Sequence, residues 1–325
     1  MKTVLVSGAS GIVGNGILRS LRSSGENYIL IGTTIYENTI AEFFSDIFEL
    51  APKTSDDDYI DWLCRIIKKH NVDMIIPGIE ADVSKWSENR SLLEKTGVSV
   101  LLNNEKLIRF CTDKWLFYLE LNKYKPDYAI PSTLDNDFDK IAMNYKLPFL
   151  MKPRSGSASK NITKIFTHEE FVETKSHFND EIMAQPIIGN DDDEYTVSGF
   201  FDDNSRLLAY QQLRRKLSKE GFTESAQTIN IRNIEKILTD LADVFKPVGP
   251  TNFQFRKHNG TLKLLEINPR ISSSTSIRTG FGYNESQMSV DYFLNKKNIT
   301  QPVLRDGKAM RYTEDMIIYD NSVNI

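Results

Sequence analysis

The sequence predicts an α/β protein: a doubly wound parallel unit first, then a region of short strands, hairpins and helices. Apolar runs and amphipathic stretches alternate through residues 1–100, the order of consecutive βα units. From about Asn104 the apolar runs come closer together, with turn residues between them, as in hairpins. Hydrophobic residues make up 40% and charged residues 26% of the 325-residue chain, an ordinary globular balance with ample core.

The elements follow in order. KTVLVSGA is a buried strand, GIVGNGILRSLRSSG a helix closed by Gly25, and NYILIGTTI a second strand. DDDYIDWLCRIIKKHN is a helix, VDMIIPGI a strand, 82–96 a polar helix and VSVLLN a strand. CTDKWLFYLELNKY then reads as one helix, with short strands at DYAIP, FLMKPR, NITKIFT and EIMAQPII. Residues 194–215 form a hairpin turning at Asp202–Ser205, 232–246 a helix, NFQF and LLEIN a second hairpin, and 284–296 a helix. GKAMRYTEDMIIY supplies a last strand.

Bulk properties exclude several classes. Net charge is −4 with no basic cluster, which argues against a nucleic-acid partner. No stretch has the roughly 18 apolar residues of a membrane span, and the opening VLV run is too short for a signal peptide. Cys64 and Cys111 sit in helix-like apolar contexts without metal-ligand spacing, as reduced core thiols do. A cytoplasmic protein is expected.

The most informative segment is TLKLLEINPR followed by ISSSTS, with TNFQF just upstream. Alternation on a strand puts Glu266, Asn268 and Arg270 on one face. An acid and an amide suit Mg²⁺, which takes one or two protein oxygens and completes its octahedron with phosphate and water. A guanidinium adds a planar fork for phosphate oxygen. The competing reading is an ordinary half-buried strand ending in a polar turn.

Upstream pieces occur in a matching order. Lys152 ends an apolar strand and enters a small-residue loop at Ser155, Gly156 and Ser157, where backbone N–H groups can approach phosphate oxygens. Lys114, opening a helix, is a second phosphate candidate or a surface lysine. In EIMAQPIIG, Gln185 and Ile187 can recognise adenine through a C=O and an N–H, Pro186 lying where no N–H is needed. Met183 and the isoleucines either sandwich the base or belong to the core. Glu194 either accepts from ribose hydroxyls or is an exposed strand-start acid. Arg278 and the loop Ile79–Asp82 either touch a substrate or are surface charges. The Gly8–Gly14 loop has the position of a dinucleotide fingerprint, but Gly32-Thr33-Thr34 follows where a ribose-binding acid belongs. Those glycines better serve close strand–helix packing.

With these pieces in order, the chain resembles the ATP-grasp superfamily, in particular one synthetase unit of the carbamoyl-phosphate synthase large chain. The motifs carrying the likeness are Asp113-Lys114, Lys152–Lys160, MAQPIIG, EYTVS, LRRKLSKEGFTESA, NFQF and EINPRISSSTS. The resemblance implies a pre-ATP-grasp α/β domain at 1–103. A small subdomain with the adenine connector follows at 104–187, then a large subdomain with the metal site at 188–325, the sheets of both mainly antiparallel. It implies ATP and Mg²⁺ (or Mn²⁺) as cofactors, with Gln254, Glu266 and Asn268 as metal ligands. Arg270 would meet a phosphoryl group, Arg215 a phosphate or substrate, Lys114 and Lys152 the ATP phosphates, and Glu194 the ribose. Gln185 stands where many members have Glu, and Ser272–Ser274 where amino-acid ligases often have glycines.

The resemblance implies a ligase that activates a small carboxylate as an acyl phosphate for attack by an amine. Four histidines in the chain fit chemistry that relies on positioning and charge. Carbamoyl-phosphate synthesis, an ATP-binding regulatory protein without turnover, and an NAD-dependent reductase are the alternatives. A homodimer is the usual expectation for a soluble enzyme.

One expectation concerns register. Asn259-Gly260 is a strong two-residue hairpin signal. Such a turn pairs Gln254 with Leu265 and puts Gln254 and Glu266 on opposite faces. Shared metal binding therefore predicts an odd loop, His258–Gly260, with Gly260 left-handed; a plain turn without a compensating bulge removes Gln254 from the site.

Overall fold

The computed structural model describes residues 1–155, 162–178, 181–190, 193–218 and 221–317. Strands β1 (Lys2–Val6), β2 (Tyr28–Thr34), β3 (Ile47–Leu50), β4 (Met74–Ile76) and β5 (Ser99–Val100) form a parallel sheet in the order β3-β2-β1-β4-β5. Both faces are covered, so the central strands are mostly apolar. Leu5, Ile31 and Ile75 pack on one side with Leu63 and Trp86 of helices α3 (Tyr59–Lys69) and α4 (Glu80–Glu88). Val4, Val6, Leu30 and Met74 pack on the other with Ile17, Leu18 and Leu21 of α1 (Ile12–Arg22). Helix α2 (Ala41–Phe44) precedes β3. The polar helix expected over 82–96 is two pieces, α4 and α5 (Arg90–Glu94), broken at Asn89.

The glycines beside β1 interlock with the β4–α4 loop. A Cβ on Gly14 would lie 2.4 Å from the Gly8 carbonyl oxygen, and one on Gly78 would lie 2.1 Å from that of Ser7. This contact brings the chain at 78–80 down onto α1 and carries Glu80 to the edge of the domain.

Helices α6 (Glu105–Thr112) and α7 (Lys114–Tyr124) follow; the single helix expected here is broken at Asp113, which has extended backbone. DYAIP forms no strand, though Thr133 just beyond it bridges Ala184. After α8 (Phe138–Tyr145), strands β6 (Phe149–Pro153), β7 (Thr163–Ile165) and β8 (Ile182–Pro186) make an antiparallel sheet in the order β7-β6-β8. It packs through Phe149, Met151 and Ile182 against α8 and Phe171 of α9 (His168–His177).

The third sheet has the order β13-β12-β9-β10-β11-β14. Its members are β9 (Glu194–Phe201), β10 (Leu207–Leu217), β11 (Thr223–Thr228), β12 (Gly249–His258), β13 (Thr261–Asn268) and β14 (Lys308–Met310), all antiparallel. Val197, Phe201, Phe253 and Phe255 project from one face onto α6, α7 and α10 (Ile234–Phe245). The opposite face is polar along the same strands, carrying Glu194, Thr196, Ser198, Gln254 and Asn252. Helices α11 (Thr275–Gly280) and α12 (Glu285–Ser289) dock onto α1, with Tyr28 bonded to Gln287 and Thr279 to Ser20.

The odd loop is corrected. His258 pairs with Thr261 across a two-residue turn, Asn259 and Gly260 both at positive φ (49° and 81°). The parity is restored further along, where the register shifts between Gln254 and Phe255: Phe255 faces Leu264 but Gln254 faces Glu266. Leu265 is the extra residue of a β-bulge. The turn follows the Asn-Gly chemistry, and the bulge keeps Gln254 beside Glu266.

Candidate active site

The two antiparallel sheets, with α4, α6 and α7, surround a cleft of about 630 Å³. On its floor, the β12–β13 pair brings the expected ligand set together. Gln254 Nε2 donates to Glu266 Oε1 at 2.5 Å, and Asn268 Nδ2 donates to the same oxygen at 3.2 Å. Arg270 Nη2 lies 3.3 Å from Asn268 Oδ1 and 2.6 Å from Glu80 Oε1 of the parallel domain. One carboxylate flanked by two amides fits Mg²⁺: rotated amides present oxygen, and phosphates and water complete the shell.

Lys114 and Lys152 come from the opposite side, and Asp113 explains how. Its carboxylate caps α7, accepting from the N–H groups of Trp115 (2.8 Å) and Leu116 (3.2 Å). It also pairs with Arg154 at 2.7 Å, while Lys114 N donates to the Arg154 carbonyl at 2.9 Å. The start of α7 is thereby fastened to the end of β6, and both lysines line the cleft. Burial works to raise the Asp113 carboxyl, but the bonds from Arg154, Leu116 and Trp115 outweigh it and hold it low. Burial, helped by the charge of Lys114, pushes Lys152 down to about 8, against the pull of Glu266. Burial also lowers Lys114, opposed by Glu266, Glu80 and Asp113.

At the connector, Gln185 turns its side chain to Ser132, Nε2 to Oγ at 2.6 Å. Gln185 and Ile188 line the cleft; Ile187 is half-buried beside them, and Met183 is core. Ser155 lines the cleft, whereas Gly156 and Ser157 lie outside the described residues.

Glu194 lies between two arginines, one on each neighbouring strand, as the register Arg215↔Glu194↔Arg256 requires. Arg215 is nearly inaccessible, its side chain 3% exposed. It lies behind the cleft wall, bonded to Glu194 and, at 2.5 Å, to Gln254 Oε1. Arg278 is neither a surface charge nor part of the wall. It is fully buried, donating to the Gln211 carbonyl (2.9 Å), Thr196 Oγ1 and Asn252 Oδ1 (both 3.0 Å). Asp82 turns inward to Thr54 (2.6 Å) and Tyr59 (2.8 Å), leaving Glu80 as the cleft-facing acid of that loop. Sequence reasoning missed Arg256, although its place two residues after Gln254 puts it on the same strand face.

A parallel domain ahead of two antiparallel sheets, with a nucleotide-sized cleft between them, defines an ATP-grasp architecture. The fold is that of ATP-grasp proteins. Residues 179–316 match a family model described as ATP-grasp in the biosynthetic pathway with Ter operon. The carbamoyl phosphate synthase large chain of Methanothrix thermoacetophila is 22% identical over 292 residues, covering 81% of this chain and 26% of the relative. That of a Thermoanaerobacter species is 26% identical over 222 residues, covering 63% and 20%. The chain thus spans about a quarter of the length of these relatives. Among solved structures it is similar to N5-carboxyaminoimidazole synthetase from Staphylococcus aureus in complex with ADP. The TM-score is 0.72 at 16% identity, over 93% of this chain and 80% of that one. Biotin carboxylase from Campylobacter jejuni gives 0.69 at 12% identity, covering 89% and 70%. Among the described residues, no helix is long and apolar enough to cross a membrane.

Proposed function

We propose that the chain is an ATP- and Mg²⁺-dependent ligase that activates a small carboxylate as an acyl phosphate for attack by an amine. The observation that carries this reading is the convergence of Lys114, Lys152, Gln254, Glu266, Asn268 and Arg270 on one cleft. The two lysines hold the phosphate tail, their charge counting for more because the wall excludes water. Glu266, with the side-chain oxygens of Gln254 and Asn268, holds the metal, which when bound neutralises phosphate charge and orients the terminal phosphoryl group. Arg270 meets that group as its three oxygens gather charge.

In the first step a carboxylate oxygen bonds to the terminal phosphorus and the bond to ADP breaks. In the second the amine nitrogen bonds to the acyl carbon, the C–O bond breaks, and phosphate leaves with the electron pair; the amine proton passes to solvent or phosphate. Arg215 lies behind the wall, bonded to Gln254 Oε1, a bond that gives way when the amide turns its oxygen to the metal. The relatives' names fit this chemistry, being a carbamoyl phosphate synthase, a carboxyaminoimidazole synthetase and a biotin carboxylase.

The test is ADP release from Mg-ATP over pairs of carboxylates, bicarbonate included, and amines. Carboxylate labelled with heavy oxygen delivers its label to inorganic phosphate in a productive pair. Nucleotide binding with no acceptor-stimulated ADP release across the panel favours a regulatory module instead.

A further inference from the structure

We propose that Asn252, aimed by the buried Arg278, is a positioning residue for the metal site: it holds the Asn268 amide with its oxygen toward the cation. The proposal rests on the ATP and Mg²⁺ reading above and adds two residues that touch neither nucleotide nor metal.

The Asn252 amide can point only one way. Its Oδ1 accepts from Arg278 Nη2 at 3.0 Å and from Thr196 Oγ1 at 2.7 Å. A guanidinium only donates, so turning the amide over would set N–H against N–H. Arg278 Nη2 also donates to Thr196 Oγ1 at 3.0 Å, which leaves that hydroxyl its own proton for Asn252. Nη1 donates to the Gln211 carbonyl at 2.9 Å and anchors the group to β10. Each bond in this triangle has a fixed polarity, and both lone pairs of Asn252 Oδ1 are filled. Arg278 is fully buried on α11. A buried guanidinium returns little net stability once its desolvation is counted, so direction is what it supplies. The next residue, Thr279, bonds Ser20 of α1 at 2.8 Å, so the same turn of helix docks on the parallel domain.

The other end of the amide is left over. Asn252 Nδ2 is fully buried and, among the described residues, has no hydrogen-bond partner. A buried donor in that state costs stability and calls for a reason. Asn252 lies directly across from Asn268 in the β12–β13 ladder, two residues from the Gln254–Glu266 pair. The register shift lies beyond Gln254, so the ladder between these pairs is regular and all four side chains share the polar face. Side chains paired in this way have Cβ atoms about 4.5–5.5 Å apart, within reach of one amide for another. Asn268 now turns Nδ2 to Glu266 and Oδ1 to Arg270. A cation on Glu266 needs the opposite rotamer, because Nδ2 cannot ligate. An amide oxygen has two lone pairs, one for the metal and one for a donor. Asn252 Nδ2 is that donor. It also opposes the wrong rotamer, in which Asn268 would meet it with N–H against N–H.

The experiment follows binding of a fluorescent ATP analogue to the full chain, first in EDTA and then across a Mg²⁺ titration, alongside melting curves. Asn252→Ala removes the donor and keeps the Arg278 bonds to Thr196 and Gln211. Its Mg²⁺ midpoint is expected to rise about tenfold, as the loss of a group that orients a metal ligand does, with metal-free nucleotide affinity unchanged. Arg278→Lys keeps the charge but loses the planar fork, and is expected to raise the midpoint several-fold. Thr196→Val releases one of the two bonds on Asn252 Oδ1 and is expected to act in the same direction, while Thr196→Ser restores the wild-type midpoint. Ser198→Ala loses the bond to Glu285 on the same face; it is expected to lower the melting temperature and leave the midpoint where it was. An unmoved midpoint in Asn252→Ala overturns the proposal. So does a loss in which metal-free and Mg²⁺-dependent binding fall together, the mark of a merely structural residue. Should Asn252→Ala not fold, the two Thr196 variants decide by the same readings. A wild-type chain that binds no nucleotide fails at the ATP reading, and one that binds it without responding to Mg²⁺ fails at the metal ligands; each is visibly different from an unmoved midpoint.

Discussion

Glu266 is the one carboxylate in the β12–β13 cluster, and two amides turn their N–H groups toward it. Replacing it by Gln keeps the volume and removes the charge a divalent cation needs. We expect acceptor-dependent ADP release to fall by at least about a hundredfold, with the melting temperature changed little because the residue is half-buried. Magnesium titration followed by nucleotide fluorescence locates the loss at the metal. Lys152 gives a pH-dependent counterpart. Its ammonium is held at about 8, whereas in an unfolded chain it titrates at about 10.4. Between those values the unfolded chain carries the extra proton, so this lysine makes stability rise with pH across that window. Nucleotide affinity should move the other way, falling as pH passes about 8, and Lys152→Met should flatten that fall in binding curves from pH 7 to 10. Lys152, Gln254, Glu266 and Asn268 were legible because strand ends and alternation place side chains almost independently of tertiary detail, and Lys114 because it stands near a helix start. Arg215 was legible as a residue but not as a buried brace, because its depth is set by neighbouring strands.

Among the elements, α7 shows how local chemistry aims a site. The Asp113 cap and its pair with Arg154 break what reads as one long helix and point Lys114 across at Lys152. Asp113→Ala removes both interactions. The expected cost is about 1–2 kcal/mol of stability and a several-fold rise in KM for ATP. Asp113→Asn retains the cap and should recover most of the stability but not the KM, as denaturant melts and initial rates will show. The βα units of residues 1–100 were readable because burial on both faces writes long apolar runs. Helices α8 and α9 and strand β11 left no such signature; they are short, polar on one side, and defined by what they pack against. DYAIP has strand-forming residues but gains no ladder, its neighbour Thr133 bonding instead to Ala184.

At the scale of the molecule, the parallel domain and the large sheet meet through Arg270 and Glu80, whose side chains are 13% and 38% exposed. The contact spans 190 residues of sequence, which is why a motif scan sees its two ends but not the pair. Glu80 is a competitor for the guanidinium that the proposed reaction needs. Glu80→Gln should therefore tighten binding of an inorganic phosphate analogue several-fold, measured by isothermal titration in the presence of ADP. An unchanged affinity would mean that Arg270 is not held back by its partner. The doubly wound order and the hairpin regions could be read from one sequence; the closeness of Glu80 to Arg270 could not, because it depends on the glycine interlock at Gly14 and Gly78 and on α11 and α12 docking against α1.

The bulge at Leu265 has a consequence in arithmetic. Across a plain two-residue turn, residues that face each other are always an odd number of positions apart. Gln254 and Glu266 are separated by 12, an even number. Any hairpin with that spacing and an Asn-Gly turn must therefore hide one unpaired residue between turn and site, and a relative whose spacing is odd must lack it. Parity alone, counted along a bare sequence, thus reports whether the hairpin carrying the proposed metal ligands is kinked. It also implies that a chain lacking Leu265 would still set Gln254 against Glu266.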